Sequence, residues 1–429
     1  MQLELGKATL GRMRWLFACA LFSATTVAGA ASDAAGTRRP GPALVADAEL
    51  DLSALEALIL RQSRAAEVAG LEVALASAEV SQARLRPNPT LELGWDTIPI
   101  GPSNPADLPR PLANVPSYEV AVSYTFELGK RSPRLLRARE LENATRHALR
   151  AGARLQAIEL LRLLGGLAAS SLKLQGLRAV LESGERLVEI AEQRAGAGFA
   201  NALDVERLRI DVSRTSTIVR AEEGVEAAYA SACITHVGVA CAPFSESDRA
   251  RHFLTRWVER MQQREIHPER RPELLALGAL GRAADADAEL ARAQKLPDPT
   301  LRLGYVRDQF LASGAQQNSL NVSVAVPLPL FERGQAQLRA AAARHVSYAR
   351  QRSLALQASE QRIPLLRNQL SQQVTRQRRI SGDVIPRASA VLHDVEKAAE
   401  LRLLPMSEVI QARRALAELL VEEADAYER

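Results

Sequence analysis

The sequence predicts a mainly α-helical fold with a small β part, laid out twice along one chain. Three observations carry that expectation. The composition is rich in Ala, Leu, Arg, Glu and Gln, and aromatic residues make up only 4% of the 429 positions, a helix-forming balance. A passage at position 87 recurs almost residue for residue at position 297, a self-similarity at a period of about 200 residues. Between these passages run long proline-free stretches with leucines at three- and four-residue steps. The formal charge is +5, with basic and acidic residues interleaved instead of blocked, which describes solvated helix faces and excludes a nucleic-acid footprint.

Lys7, Arg12 and Arg14 precede an apolar run from Trp15 to Val27 and the small-residue site Ala28-Gly29-Ala30, so residues 1–30 read as a secretory signal peptide. Cys19 follows Arg14 too closely to be a lipidated N-terminus and belongs to the apolar run. An extended segment, 31–50, comes next. No later stretch offers about 18 uninterrupted apolar residues, so any membrane crossing has to use strands.

The first repeat spans 51–242. A helix is expected from Ser53, where Ser53 and Glu56 fit a capping box, without interruption to Arg86. Pro87-Asn88-Pro89-Thr90-Leu91-Glu92-Leu93-Gly94 then opens a strand, and Tyr118 to Phe126 forms a second. Leu91, Leu93 and Trp95 alternate with Glu92, Gly94 and Asp96. Tyr118, Val120, Val122, Tyr124 and Phe126 alternate with Glu119, Ala121, Ser123 and Thr125, the period of two that defines a strand. From Arg134 to Ala242 there is no proline, and Leu160, Leu164, Leu167, Leu174, Leu177, Leu181 and Val188 mark a coiled-coil seam. A helix of about 60 residues, some 90 Å long, should turn near Gly196-Ala197-Gly198-Phe199-Ala200-Asn201 and return.

A linker, 243–270, leads to the second repeat, 271–429. Pro272 starts a helix to Leu296, and Pro297-Asp298-Pro299-Thr300-Leu301-Arg302-Leu303-Gly304 repeats the strand opening. Leu301, Leu303 and Tyr305 oppose Arg302 and Gly304, and in the strand Leu320 to Leu328, Leu320, Val322, Val324 and Val326 oppose Asn321, Ser323 and Ala325. A helix from Gln335, with kinks or interruptions at Pro364 and Pro386, turns near Leu403-Leu404-Pro405-Met406-Ser407. Asp204 and Glu408 occupy equivalent places just after the two turns. Cys233 and Cys241 are spaced either to pair across a short loop or to pack as unpaired thiols near a helix end.

Four strands with one apolar face have the form of a membrane barrel wall, with Leu91, Leu93, Trp95, Tyr118, Val120, Val122, Tyr124, Phe126, Leu301, Leu303, Tyr305, Val322 and Val324 facing lipid. Glu92, Asp96, Glu119 and Glu127 then face the water inside. Four strands cannot close, and open edges are not tolerated in lipid, so three chains sharing a barrel of about twelve strands are expected, with the hairpins forming a coaxial α-barrel tunnel.

Together with Phe126-Glu127-Leu128-Gly129-Lys130-Arg131, Val326-Pro327-Leu328-Pro329-Leu330-Phe331-Glu332-Arg333-Gly334, Ile385-Pro386 and the Pro405 turn, the repeated Pro87 segment resembles the TolC-like outer-membrane efflux proteins over essentially the whole chain after the signal peptide. The Glu127 to Arg131 turn is most similar to the CzcC-like heavy-metal branch. The resemblance implies a homotrimeric, non-enzymatic conduit without cofactors in the outer membrane. Its partners would be membrane lipid, a periplasmic membrane-fusion adaptor and an inner-membrane pump of the resistance-nodulation-division (RND) type, and its periplasmic tip would include Gly198, Asn201, Asp204, Arg402, Pro405 and Glu408. The family commonly has Gly where this chain has Arg402. A channel for drug efflux or type I protein secretion is the alternative cargo assignment, and a periplasmic coiled-coil adaptor the alternative class. The six scattered histidines show no metal-ligand spacing, and no Walker loop, Rossmann glycine pattern or HExxH is present.

Overall fold

The computed structural model describes residues 52–101, 110–198, 201–238, 240–309, 316–401 and 403–428, so the expected signal peptide, the segment 31–50 and Arg402 lie outside the described residues. The first copy comprises α1 (Leu52–Gln62), α2 (Arg64–Arg84), β1 (Thr90–Asp96), a short α3 (Pro111–Asn114), β2 (Ser117–Thr125), α4 (Arg131–Gly196) and α5 (Ala202–Val237). After α6 (Ser247–Gln263) the second copy repeats the order: α7 (Pro272–Ala293), β3 (Thr300–Asp308), β4 (Asn318–Ala325), α8 (Gln335–Arg379), α9 (Ile385–Glu400) and α10 (Met406–Glu428). The linker expected at 243–270 therefore carries a helix.

The four strands form one antiparallel sheet in the order β1-β2-β3-β4, so the two copies meet at β2 and β3. Alternation sets the faces. In register, Leu91, Val122, Leu303 and Val322 form one row and Leu93, Val120, Tyr305 and Leu320 the next. These rows are not a core: Leu91, Val122, Leu303 and Val322 are 63%, 48%, 50% and 63% exposed.

Two expectations at the start of the first copy need correction. The helix expected to run unbroken from Ser53 breaks at Ser63, which adopts an extended conformation (φ −74°, ψ 129°), and it ends at Arg84. The cause is a tertiary contact invisible in local sequence, since Ser63 is buried and its hydroxyl donates to Gln156 Oε1 of α4 at 2.7 Å. Ser53 lies inside α1, which starts at Leu52, and Glu56 faces Arg154 at 3.6 Å. Pro364 lies inside α8 without ending it, whereas Pro386 follows a π-helical turn at Ile380–Val384 that separates α8 from α9.

The 66 residues of α4 span about 100 Å at 1.5 Å per residue. Leu160, Leu164, Leu167, Leu174 and Leu177 of its seam are buried. One stretch of α4 is apolar and long enough to cross a membrane, but most of it is buried within the protein, which makes it the core of a helical wall. The largest apolar cluster joins that stretch to Leu55 and Ile59 of α1, Cys233 and Cys241, and Phe253 and Trp257 of α6. A smaller cluster near the hairpin turns joins Leu187, Val205, Leu208, Ala399, Val409 and Ile410.

Gly334 opens α8 with φ +71°, and a Cβ there would lie 2.3 Å from the Ala291 carbonyl oxygen of α7. Gly334→Ala should therefore cost about 1–3 kcal/mol through left-handed strain and a forced displacement of backbone. A lowered unfolding midpoint of the purified protein would register it; an unchanged midpoint would show that α8 can start elsewhere.

Candidate functional site

The polar face of the sheet is organised by one arginine. Arg302 of β3 reaches across two neighbouring strands, with Nε 2.8 Å from Glu92 Oε2 of β1 and Nη2 2.8 Å from Glu119 Oε1 of β2. Ser123 Oγ donates to the other Glu92 oxygen at 3.2 Å. Gly304 and Gly94 leave the space through which Glu119 reaches this group. Two of the four carboxylates expected to face water thus share a guanidinium, and Glu127 pairs with Arg134 beyond the end of the strand.

Below the sheet, the turn Glu127 to Arg131 ties three elements together. Lys130 Nζ is 2.6 Å from Asp298 Oδ2, and the Leu128 amide donates to Asp298 Oδ1 at 3.0 Å, joining the copies. The guanidinium of Arg131 donates to the Arg84 carbonyl, and that of Arg134 to the carbonyls of Ala83 and Leu85. These are the carbonyls that the end of α2 leaves without intrahelical partners, so the two arginines cap it in trans.

At the first hairpin turn Gly198 has φ +75°, and the Asn201 side chain accepts the Leu203 amide at 3.0 Å to cap α5. Asp204 sits in the first turn of α5, 3.4 Å from Arg207. Glu408 lies in the first turn of α10, exposed, with its amide donating to the Pro405 carbonyl. The turns touch where Arg194 Nη2 donates to the Glu400 carbonyl at 2.9 Å. Gly198, Asn201, Asp204, Pro405 and Glu408 thus lie at the two hairpin ends.

Further from the turns, an ionic group that sequence reasoning missed joins the hairpins. Arg413 of α10 is fully buried over Gly184 of α4, donating to the Val180 carbonyl at 2.8 Å and Ser183 Oγ at 3.0 Å, with Nε 3.5 Å from Asp211 Oδ2 of α5. Arg414 Nε donates to the other Asp211 oxygen at 2.8 Å. Burial lowers the Arg413 pKa against the opposing pull of Asp211. The missed signal is in α5, where Leu208, Asp211, Thr215, Val219 and Glu222 share a buried face, so charges occupy seam positions. Among the described residues no cluster of His, Cys, Asp or Glu is arranged to hold a metal.

The four-stranded antiparallel sheet with an exposed apolar face, set on two long helical hairpins, is the fold of solved TolC-like outer-membrane channels. The chain is 28% identical over 350 residues to the cobalt-zinc-cadmium resistance protein CzcC of Cupriavidus metallidurans, covering 79% of this chain and 77% of that protein. Its fold matches the solved structure of CusC (TM-score 0.67, 19% identity, 88% of each chain). It also matches VceC from Vibrio cholerae (TM-score 0.66, 18% identity, 88% of this chain and 92% of that one) and CmeC of Campylobacter jejuni (TM-score 0.64, 12% identity, 88% and 82%). No family model matches the chain.

The junction carries a pH dependence. Burial pushes the Asp298 carboxyl up, but the bonds from Lys130 and the Leu128 amide together outweigh it and hold the group below its ordinary range. A depressed carboxylate contributes stability that is present above its unfolded pKa and lost as pH falls through its folded value. Asp298→Asn should thus lower stability by on the order of 1–2 kcal/mol at neutral pH, with the gap to wild type closing in acid. Thermal unfolding across pH reads this, and a gap independent of pH would assign the loss to packing alone.

Proposed function

We propose that the chain works as a homotrimer, the passive outer-membrane conduit of a tripartite RND-type efflux system that exports heavy-metal cations. The observation that carries the trimer is the sheet itself. Among the described residues β1 and β4 each have one unpaired edge, and the rows around Val120 and Val122 expose an apolar face. In hydrocarbon such edges must be paired, and about twelve strands from three chains give an even-numbered barrel with those rows against lipid. The lipid-facing residues are then those named from the alternation, including Trp95, Tyr118 and Tyr305 near the strand ends. Along the helices, exposed apolar residues mark the surfaces that neighbouring copies would cover: Val68, Leu71 and Leu75 on α2, Ile210 and Val225 on α5, Val346 and Leu354 on α8.

The domain plan that accompanies this reading is a signal peptide (1–30), an extended segment (31–50), a first repeat (51–242), an equatorial connection (243–270) and a second repeat (271–429). The hairpin ends, Arg402 included, would meet a periplasmic membrane-fusion adaptor and an inner-membrane pump that supplies the energy. The small apolar cluster at those ends gives them few contacts to break on opening. The similarity to CzcC supports cobalt, zinc and cadmium as cargo.

A strain lacking the gene should become sensitive to cobalt, zinc and cadmium salts and stay resistant to hydrophobic drugs and dyes. A plasmid copy should restore resistance. A Val120→Arg copy should not, because an arginine on the lipid face costs about 2–4 kcal/mol at mid-bilayer and blocks insertion. Sensitivity to drugs alone would overturn the metal assignment and leave the channel standing.

Threefold symmetry turns one tip carboxylate into three, which concentrates negative potential at the entrance. The double substitution Asp204→Asn, Glu408→Gln should reduce cation preference in single-channel recordings. Unchanged selectivity would remove the tip carboxylates from any filter.

A further inference from the structure

Cys233 lies near the end of α5, and its Sγ is 2.06 Å from that of Cys241, eight residues on. Both residues are buried, at 0% and 2% exposure, inside the largest apolar cluster of the described chain. The segment beyond Cys241 is fastened to the helical wall by side chains. The Phe244 amide donates to Ser171 Oγ at 3.2 Å, Gln175 Nε2 donates to the Phe244 carbonyl at 2.9 Å, and Ser247 Oγ donates to Gln175 Oε1. Helix α6 starts at Ser247 and covers the sulfurs by placing Phe253, Leu254 and Trp257 in the same cluster.

We propose that Cys233 and Cys241 form an oxidation site at which a periplasmic protein dithiol oxidase acts before α6 docks, so that assembly of the channel depends on thiol oxidation in the envelope. The order follows from burial: once α6 is seated no protein can reach either sulfur, whereas in the exported, unfolded chain both are open to attack. The chemistry is thiol–disulfide exchange. One cysteine thiolate of this chain attacks the oxidant's disulfide and releases one oxidant thiol. The second thiolate then displaces the remaining oxidant sulfur and closes the Cys233–Cys241 bond. The chain gives up two protons and two electrons, and the oxidant's disulfide becomes two thiols. An oxidising compartment both permits the bond and preserves it. Closing the loop from α5 to Cys241 restricts the unfolded chain at the point where the first repeat hands over to α6, so docking of α6 starts from fewer conformations.

The test combines thiol mapping with two hosts. In denatured outer-membrane protein from an oxidase-proficient host, the peptides carrying Cys233 and Cys241 should resist alkylation until a reductant is added. In a host lacking its dithiol oxidase the amount of channel in the outer membrane should fall severalfold, and cystine in the medium should restore it. The variant Cys233→Ala, Cys241→Ala should accumulate at one reduced level in both hosts, with cystine without effect. Free thiols in the assembled wild-type channel would overturn the proposal. So would equal amounts of wild type in the two hosts, or a double variant that still falls when the oxidase is absent.

Discussion

A backbone amide or carbonyl facing hydrocarbon without a partner costs several kcal/mol, and in the proposed membrane barrel the sheet would bring two such edges, β1 and β4, which are unpaired among the described residues. Both faces of the sheet fit that setting. The exposed rows of Leu91, Val122, Leu303 and Val322 suit the sheet to lipid. The opposite face gathers Glu92, Glu119 and Arg302 into a mutually neutralising group that suits water. Duplication joins two hairpins to the one four-stranded sheet.

Force applied at the helical ends reaches the sheet through very few connections. The Glu127 to Arg131 turn is the main one in the first copy, because its basic side chains bind the end of α2 and Asp298 together. In the second copy the same work falls to backbone packing, with Gly334 lying directly against Ala291 of α7. Deeper in the wall, Arg413 crosses Gly184 to reach Asp211 and holds α10 to both helices of the first hairpin. A buried pair of this kind gives little net stability but penalises strongly the loss of either partner, so it favours one packing of α10 over its neighbours.

Strand placement was legible in the sequence because each strand is bracketed by prolines or by a turn and alternates over most of its length, with Val306 and Arg307 reversing the pattern only at the end of β3. β1 and β3 begin at Thr90 and Thr300 as expected, while β2 ends at Thr125, just before Phe126, and β4 runs from Asn318 to Ala325, starting ahead of Leu320 and stopping short of Val326 and Leu328, because Pro327 and Pro329 cannot extend the ladder. The long helix was legible because leucine spacing and the absence of proline act over dozens of residues. What stayed hidden depends on partners far away in sequence. Ser63 breaks a helix through a bond to Gln156, Arg302 is placed by strands from the other copy, and Asp211 finds Arg413 across two hairpins. Periodicity reports which face is buried, and cannot report that a charge on that face is matched.

The bond between Lys130 and Asp298 makes the two copies unequal. The first copy has Asn88 where the second has Asp298, and among the described residues Lys130 of the first copy finds its anion only in the second. With Asn88 opposite Asp298, and Gln335 in the place that Lys130 holds after the matching Phe-Glu-x-Gly, neither copy carries a complete junction of its own. The two copies are complements at this point, and a ring of either copy alone would lack the bond.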